Sequence, residues 1–122
     1  YVFFNIVSKK FTKNNFDLDW WGVSHKSSLE YILKDTNKKK IKIFAEGFTS
    51  LKDTYLFLDK EDKKRIILSD FENADYIIDN KMRRIRVNNM IQNNDNFKLV
   101  YQLIVDEHVV NGIYKKITET NR

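Results

Sequence analysis

At 122 residues, with 42% hydrophobic and 14% aromatic side chains, the chain is long enough for one domain with a real core and is not disordered in composition. It has no cysteine, which removes disulfides, thiolate metal sites and cysteine nucleophiles together. A net charge of +5 mildly favours anionic partners, and no stretch approaches the ~18–20 apolar residues of a membrane span.

The sequence starts at Tyr1 rather than Met, and Tyr1-Val2-Phe3-Phe4-Asn5-Ile6-Val7 is apolar from the outset. We therefore expect a strand or the tail of a preceding element there. We also expect residues 1–122 to form a single soluble domain belonging to a longer protein. Ser8 to Asn15 is polar and cationic and reads as a loop. Val23 to Lys34 reads as a helix, with Leu29, Ile32 and Leu33 on one face and Lys26, Glu30 and Lys34 elsewhere. Ser24 stands where an N-cap belongs. Ile41 to Ala45 alternates and then runs apolar, as a strand does on entering a core. Glu46-Gly47 breaks it. Ser50 with Asp53 marks a helix start, and Leu51, Tyr55 and Leu58 follow at helical spacing.

Lys60 to Arg65 reads as a solvated charged loop between that helix and a short strand, Ile66 to Leu68. A further strand is expected at Tyr76 to Ile78, then a polar connection from Lys81 to Asn96. Phe97, Leu99, Tyr101, Leu103 and Val105 alternate with other residues, Asp106-Glu107 gives a turn, and Val109 to Ile117 returns as a second β run. This order of elements predicts a small α/β sandwich with a mixed, partly parallel sheet and about two main helices. The C-terminal hairpin is expected to add antiparallel edge strands.

The residues that could carry chemistry are few. Asp17 and Asp19 lie two apart in Phe16-Asp17-Leu18-Asp19-Trp20-Trp21-Gly22, directly before the first helix. In an extended segment both carboxylates point one way, which suits acid–base work or a metal. Equally, a carboxylate before a helix N-terminus is favoured electrostatically without any function. Trp20 and Trp21 could stack on a sugar ring with Asp17 or Asp19 accepting hydroxyl hydrogen bonds, or one indole could simply be core. Arg83, Arg84 and Arg86 form the densest cationic run, able to hold a phosphate or a lipid head group, or merely to keep a face solvated. His25 and His108 have no serine or carboxylate at triad spacing, and Gly22, Gly47 and Gly112 are too isolated for a phosphate-cradling loop. No nucleic-acid motif is visible. No cofactor is implied.

The segments Tyr1-Val2-Phe3-Phe4-Asn5, Phe16 to Tyr31 and Ala74-Asp75-Tyr76-Ile77-Ile78-Asp79-Asn80 resemble bacterial multi-spanning membrane glycosyltransferases related to dolichyl-phosphate-mannose protein mannosyltransferases. Departures from the pattern are Trp20 and His25, where tyrosine is commoner, and Ser27, where glutamate is commoner. The resemblance implies a parent enzyme that moves a sugar from a polyprenyl-phosphate donor. Its catalytic carboxylate would lie in an early extracytoplasmic loop, outside this sequence. The present chain would be its non-catalytic C-terminal domain, at the periplasmic face of the inner membrane. Its partners would be the membrane-spanning part of the same chain and, through Asp17, Asp19, Trp20 and Trp21, a glycan acceptor. The alternatives are a free-standing small α/β enzyme using Asp17 or Asp19, or an interaction module that pairs through the edge of its hairpin.

Overall fold

A 12-residue helix, α1 (Ser24–Asp35), opens the part of the chain described by the computed structural model, which comprises residues 24–46, 51–80, 90–91, 93–105 and 107–118. The helix forms where its periodicity predicts. Leu29 and Ile32 are buried with Ser24, His25 and Ser28, while Lys26 and Glu30 are exposed and form an i,i+4 pair. Next come β1 (Ile41–Glu46), two short helices α2 (Leu51–Tyr55) and α3 (Lys60–Arg65), β2 (Ile66–Leu68) and β3 (Tyr76–Asn80). The hairpin strands β4 (Phe97–Val105) and β5 (His108–Lys116) close the fold.

The five strands form one mixed sheet in the order β2-β1-β3-β5-β4. β1 pairs in parallel with both β2 and β3, whereas β5 pairs antiparallel with β3 and with β4. The expected α/β architecture is therefore the one the chain adopts. Both faces of the sheet carry apolar side chains. On one, Leu29 and Ile32 of α1 and Leu51 of α2 pack on Ile41, Ile43, Ile66, Tyr76, Ile78 and Ile113. On the other, Phe71, Ala74, Ile77, Ile91 and Phe97 cluster, with Phe71 edge-on to Phe44 at 5.8 Å. All five residues of β3 are buried, which is why this strand reads as a continuous run rather than an alternation.

Three expectations are corrected. Lys60 to Arg65 is a helix, not a loop. Asp59, in extended conformation, caps it by accepting the Asp62 amide at 2.9 Å. Glu61 and Asp62 sit in its first turn and Lys63, Lys64 and Arg65 in its last, a charge order that complements the helix dipole. None of its residues is buried, so apolar periodicity gave no signal. Second, of the two hairpin strands only β4 lies at a sheet edge. β5 sits between β3 and β4, and its Val110, Asn111, Gly112 and Ile113 are buried in succession, as an interior strand requires. Third, the connection after β3 is not purely polar, because Ile91 anchors the second core.

The hairpin reverses between Val105 and its register partner His108, with Glu107 in the left-handed region at φ 68°. No helix among the described residues is long and apolar enough to cross a membrane.

Candidate functional site

Polar side chains gather at the two ends of the parallel strands, and α1 joins those ends. At roughly 1.5 Å per residue, its twelve residues span about 18 Å, close to the height of β3. Its first turn stands where β1 and β3 finish and its last turn where they begin.

At the finishing, or carboxyl, edge the polar groups are buried. Ser24, His25 and Ser28 of α1, Asp79 and Asn80 of β3 and Asn111 of β5 are each at most 4% exposed. The Asn111 amide nitrogen donates to the Ser24 hydroxyl at 2.6 Å, and Ser28 Oγ donates to the Ser24 carbonyl at 3.1 Å. Asn111 is also the register partner of Asn80. One asparagine thus ties the start of α1 to the end of β3. Among the described residues, the Asn111 Oδ1 has no hydrogen-bond partner.

At the beginning, or amino, edge the polar groups line an open cleft of about 790 Å³, walled by Tyr31, Asp35, Asp75, Tyr76, Lys98 and Lys115 among others. Asp35 Oδ2 accepts both the Tyr76 hydroxyl at 2.6 Å and the Lys115 ammonium at 2.7 Å, and that ammonium lies 5.4 Å from the Tyr76 ring centre. The Lys115 hydrogen bond, then that of Tyr76, holds the Asp35 carboxyl below the usual carboxylate range. Asp35 in turn keeps Lys115 protonated to higher pH than an ordinary lysine. Burial, reinforced by the bond to Asp35, pushes the Tyr76 phenol up to about 12. Burial first, and then Asp35, raises Tyr31 as well. Tyr31 donates to the Val100 carbonyl at 3.2 Å and stacks on Tyr101 at 4.5 Å, so it docks α1 on the sheet edge.

Asp75 organises the other wall. Its Oδ2 accepts the Lys42 amide at 3.0 Å and its Oδ1 the Lys38 ammonium at 2.9 Å. Beneath it, the Arg65 guanidinium donates to the carbonyls of Leu33, Thr36 and Lys38, where α1 runs out of backbone partners. Sequence reading passed over this arginine. Three residues after α3's Asp62, it looked like one more charge in a solvated run.

The sequence-predicted candidates Asp17, Asp19, Trp20, Trp21, Arg83, Arg84 and Arg86 lie outside the described residues. The segment Ala74 to Asn80, singled out on the sequence, spans both edges: Asp75 and Tyr76 serve the cleft, and Asp79 and Asn80 the buried cluster. Asp35, Lys98 and Lys115 were missed; nothing short-range marks them, since Asp35 and Lys115 are 80 positions apart. Among the described residues, no group of three or more His, Asp or Glu is arranged to hold a metal ion. No protein-family model, characterised protein or solved structure matches the chain.

Proposed function

We propose that this chain is the C-terminal, extracytoplasmic domain of a membrane glycosyltransferase that uses a polyprenyl-phosphate sugar donor. It would be non-catalytic, assisting acceptor binding or stabilising the membrane-spanning part of the same protein at the periplasmic face. The sequence resemblance supports the reading, and one structural observation carries it. The acidic double-indole segment joins the described fold at Ser24, and the arginine run leaves it after Asn80. Asn111 touches Ser24 and pairs with Asn80, so both candidate segments attach at one edge of one sheet. A sugar-stacking group and a phosphate-binding group rooted together suit a ligand that carries both chemistries.

The test is a glycan titration of the chain followed at the indole N–H resonances of Trp20 and Trp21. At least one should shift with an acceptor-type oligosaccharide, and Trp20→Ala or Trp21→Ala made singly should weaken the shift of the indole that remains. An unmoved pair of indoles across a broad glycan panel removes the acceptor-binding role. Turnover of a substrate by the isolated chain that depends on Asp17 or Asp19 would instead favour a free-standing enzyme.

A second reading, pairing through the hairpin, has one observation in its favour. β4 is a nine-residue edge strand with Leu99 43% and Ile104 57% exposed. Register shifts at Leu99/Tyr101 and Leu103/Ile104 work against it, because bulges twist an edge away from straight pairing. Light scattering that finds a monomer at high concentration would exclude self-pairing.

A further inference from the structure

The amino-edge cleft contains a charge conflict that Asp35, attracted to both Lys115 and Lys98, only partly offsets. Lys98 of β4 and Lys115 of β5 are direct register partners, so both side chains rise from the same face of the sheet. Lys115 is in turn the register partner of Tyr76 on β3, which completes a cross-strand row of Tyr76, Lys115 and Lys98. Directly opposed like charges destabilise a strand pair, because their Cβ atoms stand only ~5 Å apart. The carboxylate facing them is Asp35, and its Oδ2 is engaged by Lys115 and Tyr76. The other carboxylate lining the cleft, Asp75, is taken by Lys38 and the Lys42 amide. Lys116, also lining the cleft, donates to a neutral carbonyl, that of Glu72. Four lysines and two aspartates therefore line this space, so Lys98 and Lys116 are in surplus, and of these two Lys98 is the one in the same cross-strand row as Lys115.

The end of α1 at this edge would by itself repel an anion, since a helix C-terminus carries partial negative charge. Arg65 lessens that objection by placing a guanidinium on the Leu33 carbonyl of the last turn and on the Thr36 and Lys38 carbonyls just after it. An ammonium has three donors, and Lys115 commits one to Asp35 and also faces the Tyr76 hydroxyl, which leaves one for a ligand. We propose that the amino-edge cleft binds a phosphate group, held between Lys98 and the remaining donor of Lys115. Lysine pairs suit phosphate as converging point charges. Tyr31, stacked on Tyr101 in the same wall, offers an apolar flank to whatever the phosphate is attached to. The cleft volume of about 790 Å³ accommodates a phosphoester as well as the free ion. This inference does not depend on the glycosyltransferase reading, which rests on the opposite edge.

The experiment is an amide-detected NMR titration of the chain with sodium phosphate, against sodium chloride at matched ionic strength. Phosphate, but not chloride, should shift Lys98, Lys115 and their strand neighbours in a saturable way. Lys98→Gln, an exposed position, should weaken the response about tenfold or more, as expected when one charge-assisted hydrogen bond is lost. Lys98→Glu should abolish it. Vesicles of phosphatidylglycerol, compared with phosphatidylcholine, identify the source. A cleft response to the anionic vesicles alone assigns the group to a lipid head group, and a response to inorganic phosphate assigns it to a soluble ion or ester. Identical effects of phosphate and chloride with no vesicle response, or binding unchanged in Lys98→Gln, would overturn the proposal. The indole resonances report separately on the carboxyl edge, so the two readings can fail independently.

Discussion

The two edges of the sheet treat polar atoms in opposite ways. At the carboxyl edge the visible bonds join neutral groups, the Asn111 amide and the hydroxyls of Ser24 and Ser28, closed off from water. At the amino edge the groups are charged, and Asp35 and Lys115 keep 26% and 39% of their side chains exposed. The contrast follows from solvation. Removing a formal charge from water costs far more than removing an amide, so most charges collect where the cleft stays wet, with Asp79 at the closed edge as the exception among the described residues. Bonds in the closed cluster hold the fold, because water cannot replace a lost partner there. Those in the open cleft add less stability but can respond to pH and to ions.

The sharpest way to break this comparison is Asn111→Ala. The Ser24 hydroxyl loses its donor and a small void opens, so denaturant unfolding should show a loss of roughly 2–3 kcal/mol. A loss below half a kcal/mol would mean that the carboxyl edge is not structural. Arg65→Ala should cost somewhat less, about 2 kcal/mol, by releasing the Leu33 carbonyl of α1's last turn and the Thr36 and Lys38 carbonyls of the loop after it. Arg65→Lys should recover only part of it, since a single ammonium cannot reproduce the guanidinium fork.

Acid should act chiefly through the amino edge. The Asp35 carboxyl lies below its ordinary value in the folded chain, so its contribution is present above the unfolded carboxylate pKa of about 4 and is lost as pH falls through the lower folded value. Asp35→Asn should flatten that part of the stability profile. In the same variant the Tyr76 phenol, at about 12 in the parent, should drop but stay above an ordinary tyrosine, because burial is the larger cause of its elevation. Ultraviolet titration would detect this, and a fall all the way to the ordinary value would contradict the assignment. The smallest expected effect has the opposite sign. Glu107→Gly should raise stability by roughly 0.5–1 kcal/mol, because glycine adopts φ 68° without the steric penalty that other residues incur. A thermal melt would register it.

Some of this architecture is legible in the residues. The apolar face of α1 and the Ile41-Lys42-Ile43 alternation announce their elements, because the period of burial is written locally. The Phe97 to Val105 repeat announces a strand but not its burial, since register shifts at Leu99/Tyr101 and Leu103/Ile104 leave Leu99 exposed and set Phe97 and Tyr101 against different clusters. The α3 helix escaped notice for the converse reason. It buries nothing, and only its Asp59 cap and the order of its charges mark it. Ile91 was overlooked because the apolar residues of its stretch, Ile85, Val87 and Met90 among them, are interleaved with arginines and asparagines and give no clear period.

The sequence by itself determined most of the segments that are helix or strand, and that early crossovers and a late hairpin contribute to one mixed sheet. Only the tertiary structure decided that β5 lies inside and β4 at the edge, that Ser24 meets Asn111 across 87 positions, and that Lys98, Lys115 and Asp35 face one cleft. Periodicity reports whether a residue is buried but not against what. The choice of neighbour is settled when both faces of the sheet are covered at once, and that is a property of the whole chain.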